Sequence, residues 1–397
     1  MFAEATALIR QRDRARRAIQ ETDPEARFKP CYAAADTGLR HVEHVTRTSE
    51  TTGVDYRGQN THPVQNSFVE AGHQCLRSIY QMTLMLSRKD VSTHKIAALN
   101  DANQEGPMFA VTGITGQVGG VVARVLLAAG MDVRGVVRDP VKGEGWANQG
   151  CEVAIAEMND AVALARAFDG ADAVFISLPP NFDPAPGFPE SKAAIAALSD
   201  ALTASMPKRV VCLSTIGAQA TQPNLLQQSG MMERAFGLLP MPVACLRAGW
   251  FMENTAFDLE PALASGVIPS FLYPLDRPVP MVATADVGRM AANLLRQNWT
   301  EHRIIELEGP RRTTPNEVAE VFSRLLGRNV RMEPVARDTW ERLFASQGMK
   351  NSLPRIQMLD GFNEGWIEFE RPASTVKGSV PLETVVRGVI QRMSETV

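Results

Sequence analysis

The 397-residue sequence lacks the features that mark membrane and secreted proteins. No apolar run approaches the roughly 18–20 residues that a membrane span requires, and the first residues form no apolar signal-peptide core. The formal net charge is only −3, so there is no excess of basic residues to attract nucleic acid or an anionic membrane. These absences predict a cytoplasmic protein that contacts no membrane and does not bind nucleic acid directly.

Disulfide-forming and metal-ligating residues are also sparse. The five cysteines are odd in number, scattered and without CxxC spacing, so we expect reduced thiols. His41 and His44 are three residues apart and can share a helical face. Because no further close-spaced pair of Cys, His or carboxylate ligands accompanies them, we expect no metal site.

The chain divides into two unequal parts near Met108. Residues 1–107 contain a polar stretch between about 20 and 75 without a sustained apolar period. We therefore expect a poorly structured N-terminal extension, with short helices near 3–20 and 66–87. The pattern of a complete fold begins at Met108, a residue that can itself start a protein. Two interpretations of the extension follow: a native appendage, or an artefact of an upstream start codon.

From Met108 onward, apolar runs alternate with amphipathic stretches, which is typical of a parallel sheet covered by helices. The predicted strands are 108–113, 132–138, 152–158, 171–178, 208–215 and 242–249. The predicted helices lie near 117–129, 160–168, 189–205 and 224–237. The fold class is therefore α/β, with a doubly wound parallel sheet over about 108–250 and a smaller α/β substrate lobe mostly over about 251–397.

A glycine-rich turn, VTGITGQVGG, follows the first predicted strand. Its three spaced glycines permit a tight turn, the approach of a pyrophosphate, and close packing of the next helix on the strand. The amino end of that helix presents N–H groups to the phosphates. In this strand–turn–helix context the motif predicts a Rossmann-like cofactor fold. The predicted cofactor contacts here are Gly113, Thr115, Gly116, Gln117, Val118 and Gly119.

The second strand ends in VVRDP, at the position that contacts the adenosine ribose. Arg138 offers a planar charged group suited to the 2′-phosphate of NADP, and Lys142 is near enough to assist. Asp139 could instead bind the bare ribose of NAD. Because Pro140 follows, we interpret Asp139 as the start of a turn and favour NADP(H) over NAD(H).

The ends of the later strands should face the same crevice, since all strands of a parallel sheet point one way. We expect the third strand to flank the adenine, the fourth to lie along the cofactor, and the fifth to end where the chemistry occurs. The corresponding predicted cofactor contacts are Glu157, Met158, Leu178, Pro179, Ser214 and Thr215.

Residues 108–397 resemble the NmrA-like family of atypical short-chain dehydrogenases. The matching pieces, in order, are VTGITGQVG, VVRDP, KRVVCLSTIGA, MMERAF, CLRAGWFMEN, TADVGRMAA and LEGPRRTTPNEVAEVFSRLLGRNV. The family includes NADPH-dependent quinone and azo-dye reductases and non-catalytic cofactor sensors. The resemblance implies cofactor contacts at Gly113, Thr115, Gly116, Gly119 and Arg138, and a substrate lobe built after Phe251 and Asn254.

Ordinary short-chain dehydrogenases use a Tyr-x-x-x-Lys pair, which this part of the chain lacks. Its only tyrosine, Tyr273, has no lysine four residues on, and the helix near 224–237 contains no Tyr, Lys or His. Hydride transfer to a quinone needs mainly a positioned nicotinamide and a dry, flat pocket. Candidate pocket residues are Ile216, Phe251, Met252 and Tyr273, with the alternative that they form inter-lobe core.

Two hypotheses of function follow. The first is an NADPH-dependent reductase that transfers hydride to a quinone-like or other small electrophilic acceptor, with no catalytic residue assigned. The second is a non-catalytic NADP(H) sensor that acts through a regulatory protein partner; a homodimer is compatible with either. Glu233 is expected to be a helix-surface or structural ion-pair residue rather than a catalytic acid, whereas Arg247 could pair within the fold or reach the crevice.

Overall fold

A computed structural model describes residues 106–395 of the chain. The predicted extension, its two helices and the His41/His44 pair lie outside the described residues. Within 106–395, no helix combines the length and the apolar character needed to cross a membrane. In the same span, no three His, Cys, Asp or Glu side chains are grouped closely enough to hold a metal ion.

Twelve strands occur in the described residues. They are β1 (Met108–Thr112), β2 (Asp132–Val137), β3 (Glu152–Ile155), β4 (Ala173–Ile176), β5 (Arg209–Thr215), β6 (Val243–Ala248), β7 (Trp250–Phe251), β8 (Val267–Ser270), β9 (Met281–Val282), β10 (Arg303–Glu308), β11 (Arg331–Pro334) and β12 (Val376–Lys377).

Eleven α-helices accompany these strands in the described part of the chain. They are α1 (Gln117–Ala128), α2 (Pro140–Ala147), α3 (Ala161–Phe168), α4 (Pro189–Ser205), α5 (Gln227–Phe236), α6 (Leu259–Ala264), α7 (Thr284–Arg296), α8 (Pro315–Leu326), α9 (Trp340–Ser346), α10 (Leu353–Glu364) and α11 (Leu382–Glu395).

The main sheet has eight parallel strands in the order β12–β10–β6–β5–β4–β1–β2–β3. The first strand of the sheet is β1; β2 and β3 follow on one side of it, and the chain then crosses over so that β4 lies on the other side of β1. This reversal opens a crevice outside the carboxyl ends of β1 and β4, which is where open α/β sheets bind their ligands. We call this space the crevice.

Helices cover both faces of the sheet and bury its alternating apolar residues. One face packs against α1, through Val122 and Leu126, and against α7, through Val287 and Leu295. The other face packs against α3, α4 and α5. Because both faces are covered, the central strand β4 is buried along its whole length.

The smaller lobe has its own apolar core around Trp340, Phe322 and Phe344, all fully buried. Two short parallel pairs, β7 with β9 and β8 with β11, lie beside helices α6 and α8 to α11. Helix α8 begins with a capping box: Thr314 accepts from the N–H of Glu317, whose carboxylate accepts from the N–H of Thr314.

The six predicted strands and four predicted helices up to residue 250 are all present, with bounds that differ by a few residues. Helix α2 was not predicted, and it begins at the turn expected after Asp139. The chain also returns to the main sheet after residue 250. Strands β10 and β12 join the main sheet, and helix α7 packs against it. The smaller lobe is therefore made of several segments that are separate in sequence.

Candidate functional site

The glycine turn after β1 has the geometry that its spacing predicts. Gly113 has φ of 62°, a left-handed conformation that favours glycine, and its carbonyl accepts from the N–H of Gly116 at 2.9 Å. A Cβ added to Gly119 would lie 2.2 Å from the Gly113 carbonyl oxygen. This contact explains why α1 can begin directly against the turn only with glycine at position 119.

The amino end of α1 points into the crevice without a side chain that caps it. Gly116 is the N-cap residue and the first turn contains no acidic residue. Thr115 and Gln117 are exposed, whereas the Val118 side chain is buried at 5% exposure in the sheet core. Val118 and Gly119 can therefore contribute only their backbone to a ligand. An uncapped helix amino end of this kind attracts phosphate oxygens.

A pocket of about 310 Å³ lies at the end of β2. It is lined by Thr115, Val137, Arg138, Asp139, Lys142 and Glu157. Arg138 and Lys142 bring two positive charges to it. The Asp139 carboxylate accepts from the N–H of Val141 at 3.0 Å and caps α2, so this acid has a structural role. The pocket thus joins Thr115 of the glycine turn to two basic groups that can contact a phosphate, beside the carboxylates of Asp139 and Glu157.

The remaining contacts predicted after β3 and β4 differ in how exposed their side chains are. Glu157 and Pro179 are exposed, whereas Met158 and Leu178 are partly buried against the sheet core. Ser177 was not predicted. Its N–H donates to Thr112 Oγ1 at 2.9 Å, and its Cβ would lie 3.3 Å from a Cβ on Gly113. Its position directly after an apolar strand run is the sequence signal that identifies it.

Ser214, at the end of β5, lies in a buried polar network beside the crevice. Its hydroxyl donates to Glu233 at 2.5 Å, and Glu233 also accepts two hydrogen bonds from Arg247, at 2.7 and 2.9 Å. Arg247 further contacts Glu306 and Glu370. The Ser214 hydroxyl is thus occupied within the protein, while Thr215 beside it is partly exposed.

This network shows the roles of the two charged residues that the sequence analysis discussed, Glu233 on α5 and Arg247 on β6. Burial opposes the charge of Arg247, but hydrogen bonds and charges from Glu233, Glu370 and Glu306 outweigh it and raise the pKa of the guanidinium above its usual range. Glu233 is an ion-pair residue, which is one of its two expected roles, and Arg247 pairs within the fold.

A second ionic cluster joins β10 to the segment before β12. Glu308 is buried and accepts from Thr375 and Lys377, and Arg312 contacts both Glu308 and Glu368. Burial would raise the pKa of Glu308, but these hydrogen bonds and the Arg312 charge hold it below its usual range. The cluster fixes residues 368–377 across the end of the sheet.

The four candidate pocket residues do not form one exposed surface. Ile216 and Met252 are each 1% exposed and belong to the core of the smaller lobe, which matches the alternative that they are inter-lobe core. Phe251 is partly buried against the main sheet core. Tyr273 is partly buried, and its ring packs edge-on against Trp340 at 6.2 Å. Only Phe251 and Tyr273 retain exposed surface.

The family model described as the NmrA-like family matches residues 107–370. The chain is 25% identical to the NAD(P)H azoreductase of Xenophilus azovorans over 62% of this chain and 83% of the relative. It is 32% identical to the (4-alkanoyl-5-oxo-2,5-dihydrofuran-3-yl)methyl phosphate reductase of Streptomyces griseus, over 58% and 78%. It is 24% identical to quinone oxidoreductase 2 of Escherichia coli, over 62% and 84%.

Solved structures share the fold. The triphenylmethane reductase of Citrobacter sp., complexed with NADP(H), has a TM-score of 0.60 and 22% identity, over 71% of this chain and 99% of that one. NmrA, a negative transcriptional regulator solved in complex with NADP, has a TM-score of 0.56 and 20% identity, over 74% and 99%. One fold therefore serves both a reductase and a regulator.

Proposed function

The chain belongs to the NmrA-like family, and on that premise we propose that it is an NADPH-dependent reductase of quinone-like or other small conjugated acceptors. The observation that carries this proposal is the arrangement at the end of β2. There Thr115 of the glycine turn lines one pocket together with Arg138 and Lys142, and the uncapped amino end of α1 begins two residues farther along the chain. This arrangement fits a dinucleotide whose adenosine end bears an extra phosphate.

The choice of NADP(H) over NAD(H) rests on how the two adjacent charges are used. An acid at the end of β2 that binds a ribose accepts hydrogen bonds from its hydroxyls. Oδ1 of Asp139 already accepts from the N–H of Val141 and caps α2, so part of this carboxylate serves the fold. The basic groups of Arg138 and Lys142 line the pocket, and they favour a phosphate dianion over an uncharged ribose.

The acceptor class follows from what the crevice offers and what the chain lacks. A bound NADPH supplies a hydride, and the acceptor takes one proton from water to complete its two-electron reduction. The chain contributes binding, orientation and exclusion of water. Within residues 106–395 the only tyrosine is Tyr273, and helix α5 contains no Tyr, Lys or His. A quinone suits this site because its reduced oxygens need no dedicated acid.

The relatives support a reductase. The three relatives named above are an azoreductase, a quinone oxidoreductase and a reductase of a phosphate-bearing dihydrofuran. All three are reductases or oxidoreductases by name. Their acceptors differ but share a conjugated, electron-poor system. We therefore infer a small conjugated electrophile for this chain and leave its substituents open.

A second candidate is a cofactor sensor that binds NADP(H) and turns nothing over. It is favoured by the absence of Tyr, Lys and His from α5 and by the fold shared with the NADP-binding regulator NmrA. In this case the protein would act by binding a protein partner, and the smaller lobe would supply the surface that the partner contacts.

One experiment separates the two. The full chain is titrated with NADPH and with NADH, and a panel of quinones is then added while NADPH oxidation is followed at 340 nm. Tighter binding of NADPH together with quinone-dependent oxidation supports the reductase. Tight NADPH binding without turnover on any acceptor favours the sensor, and equal binding of both cofactors contradicts the NADP(H) preference.

A further inference from the structure

The main sheet has two edge strands, and they differ in how they are protected. Strand β12 is two residues long, and its Lys377 is bound to Glu308. Strand β3 is four residues long and contains neither lysine nor proline. Among the described residues, no strand pairs with its outer side. Lysine, proline and extreme shortness are devices that keep an edge strand from pairing with another chain, so β3 is the less protected edge.

A groove of about 260 Å³ lies between β3 and helix α3. Its lining includes three alanines of these two elements, whose short side chains leave it open. The Arg134 side chain also lines the groove, and it forms an ion pair with Glu152, the one charged residue of β3. Inside the sheet, a neighbouring strand and its side chains occupy the corresponding space beneath the helices. At β3 this space stays open.

Exposed apolar side chains accompany the groove. Ile155, the last residue of β3, is 51% exposed, and Val162, in the first turn of α3, is 66% exposed. Both lie beside the open edge of the sheet. A surface that covered this edge would remove their apolar area from water, which is the main favourable term in protein association.

Two opposite charges complete the surface. Arg166 lies in the last turn of α3 and Asp169 is its C-cap residue; both are exposed, and both line the groove. Neither side chain forms an ion pair with any residue in the described part of the chain. A two-fold interface places a surface against an identical copy of itself, so that residue i contacts j and j contacts i. An arginine and an aspartate three positions apart satisfy this rule.

We propose that the β3 edge and the groove beside it form the surface through which two copies of this chain associate about a two-fold axis. The two β3 strands run antiparallel across the axis, and Ile155 and Val162 are buried between the copies. Arg166 of each copy faces the partner's Asp169. A second copy fits this surface because it brings the same open edge, the same apolar residues and the opposite charge for each of the two.

This association is independent of the proposed reductase function. The groove shares no lining residue with the pocket at the end of β2, so the two surfaces are separate. The formal net charge of −3 leaves little electrostatic repulsion between two copies.

Sedimentation velocity of the full chain over a range of protein concentrations measures the association directly. We expect a reversible dimer of twice the 43.3 kDa mass of one chain. Ile155→Lys introduces a charge of the kind that protects edge strands, and it should raise the dimer dissociation constant at least about tenfold. Leu238→Lys is the matched control, because Leu238 is 87% exposed but lies in the turn after α5. It should leave the constant unchanged.

A charge-reversal cycle tests the pairing across the axis. Arg166→Asp and Asp169→Arg each place like charges opposite one another and should raise the dimer dissociation constant about tenfold. The double variant restores opposite charges and should return the constant to within about threefold of wild type. Urea unfolding shows whether each variant is folded. Because both residues of the cycle are exposed, the cycle decides the question even if Ile155→Lys fails to fold.

A wild-type chain that stays monomeric at every concentration would overturn the proposal. A dimer that Ile155→Lys and both single reversals leave intact would also overturn it, since its interface would then lie elsewhere. Single reversals that weaken the dimer without rescue by the double variant would overturn the two-fold pairing of Arg166 with the partner's Asp169.

Discussion

The carboxylate of Asp139 accepts a hydrogen bond from the N–H of Val141 at 3.0 Å, so the acid at the end of β2 serves as the amino cap of α2. Arg138, immediately before it, lines the adjacent pocket with Lys142. Two opposite charges at consecutive positions thus have separate tasks. The acid stabilises a helix end, and the bases border the space proposed for the extra phosphate of NADP(H).

Arg138→Ala should weaken NADPH binding by about 1.5–3 kcal/mol, because it removes a charge-assisted contact to a phosphate. NADH, which lacks that phosphate, should lose little. The dissociation constants of both cofactors, measured by fluorescence titration of the full chain, check the prediction. Arg166→Ala is the matched control, since it removes an exposed arginine of α3 away from the pocket. Equal losses for NADPH and NADH would contradict the assignment.

Gly119→Ala should abolish NADPH binding and lower the free energy of unfolding by about 1–3 kcal/mol. The added Cβ would lie 2.2 Å from the carbonyl oxygen of Gly113, so the glycine turn would have to move. Gly145→Ala is the control, because a Cβ at this exposed position of α2 meets no atom within 4 Å. It should raise stability by about 0.5–1 kcal/mol. Urea unfolding and NADPH titration measure both effects.

The glycine turn and the end of β2 could be predicted from sequence because their signals are local. The strand before Gly113, the glycine spacing and the RDP tripeptide lie within one βαβ unit. Helix α2 escaped prediction because Gly143 and Gly145 weaken its intrinsic helix propensity. The Asp139 cap and the burial of Gly143 and Trp146 stabilise it in the fold. Tertiary packing thus supplied what local preference did not.

The acceptor side was harder to predict because it depends on contacts between distant segments. Ile216 and Met252 have the apolar character of pocket residues, and no local pattern distinguishes a pocket from the inter-lobe core in which they lie. The hydrogen bond of Ser214 was equally hard to predict, because its partner Glu233 lies on another element.

Glu233→Gln should lower the free energy of unfolding by about 1–3 kcal/mol, because Arg247 would keep only part of its compensating charge in a buried site. The amide can still accept a hydrogen bond, so the fold should persist. Glu383→Gln, which disrupts exposed pairs with Arg387 and Arg324, should cost less than about 0.5 kcal/mol. Urea unfolding tests both variants.

The same Glu233 variant also tests for a catalytic role. If Glu233 is purely structural, the pH profile of quinone reduction should keep its shape in Glu233→Gln. Loss of one limb of that profile, with stability unchanged, would instead identify Glu233 as an acid in the reaction.

Asp258 should make the protein less stable as the pH rises. Burial raises its pKa from 3.8 to about 7. Between these values the folded protein keeps a proton that the unfolded chain has released, so the free energy of unfolding falls as the pH rises from about 4 to 7 and then levels off. Asp258→Asn removes this dependence and should be more stable than wild type above pH 7, by on the order of 2 kcal/mol.

Urea unfolding at pH 4.5 and pH 8 measures this difference, with Asp200→Asn on the exposed face of α4 as the control. The control should alter stability equally at both pH values. A stabilising effect of Asp258→Asn that is as large at pH 4.5 as at pH 8 would show that its cause is not the ionisation of Asp258.

The return of the chain to the main sheet after residue 250 restricts how the protein can open. The backbone passes into the smaller lobe after β6, back to the sheet through α7 and β10, out again to α8, and back once more at β12. A swing of one lobe about a single hinge would have to bend all of these connections together. We therefore expect ligands to enter and leave through local displacement of loops at the rim, while the two lobes keep their mutual orientation throughout a reaction cycle.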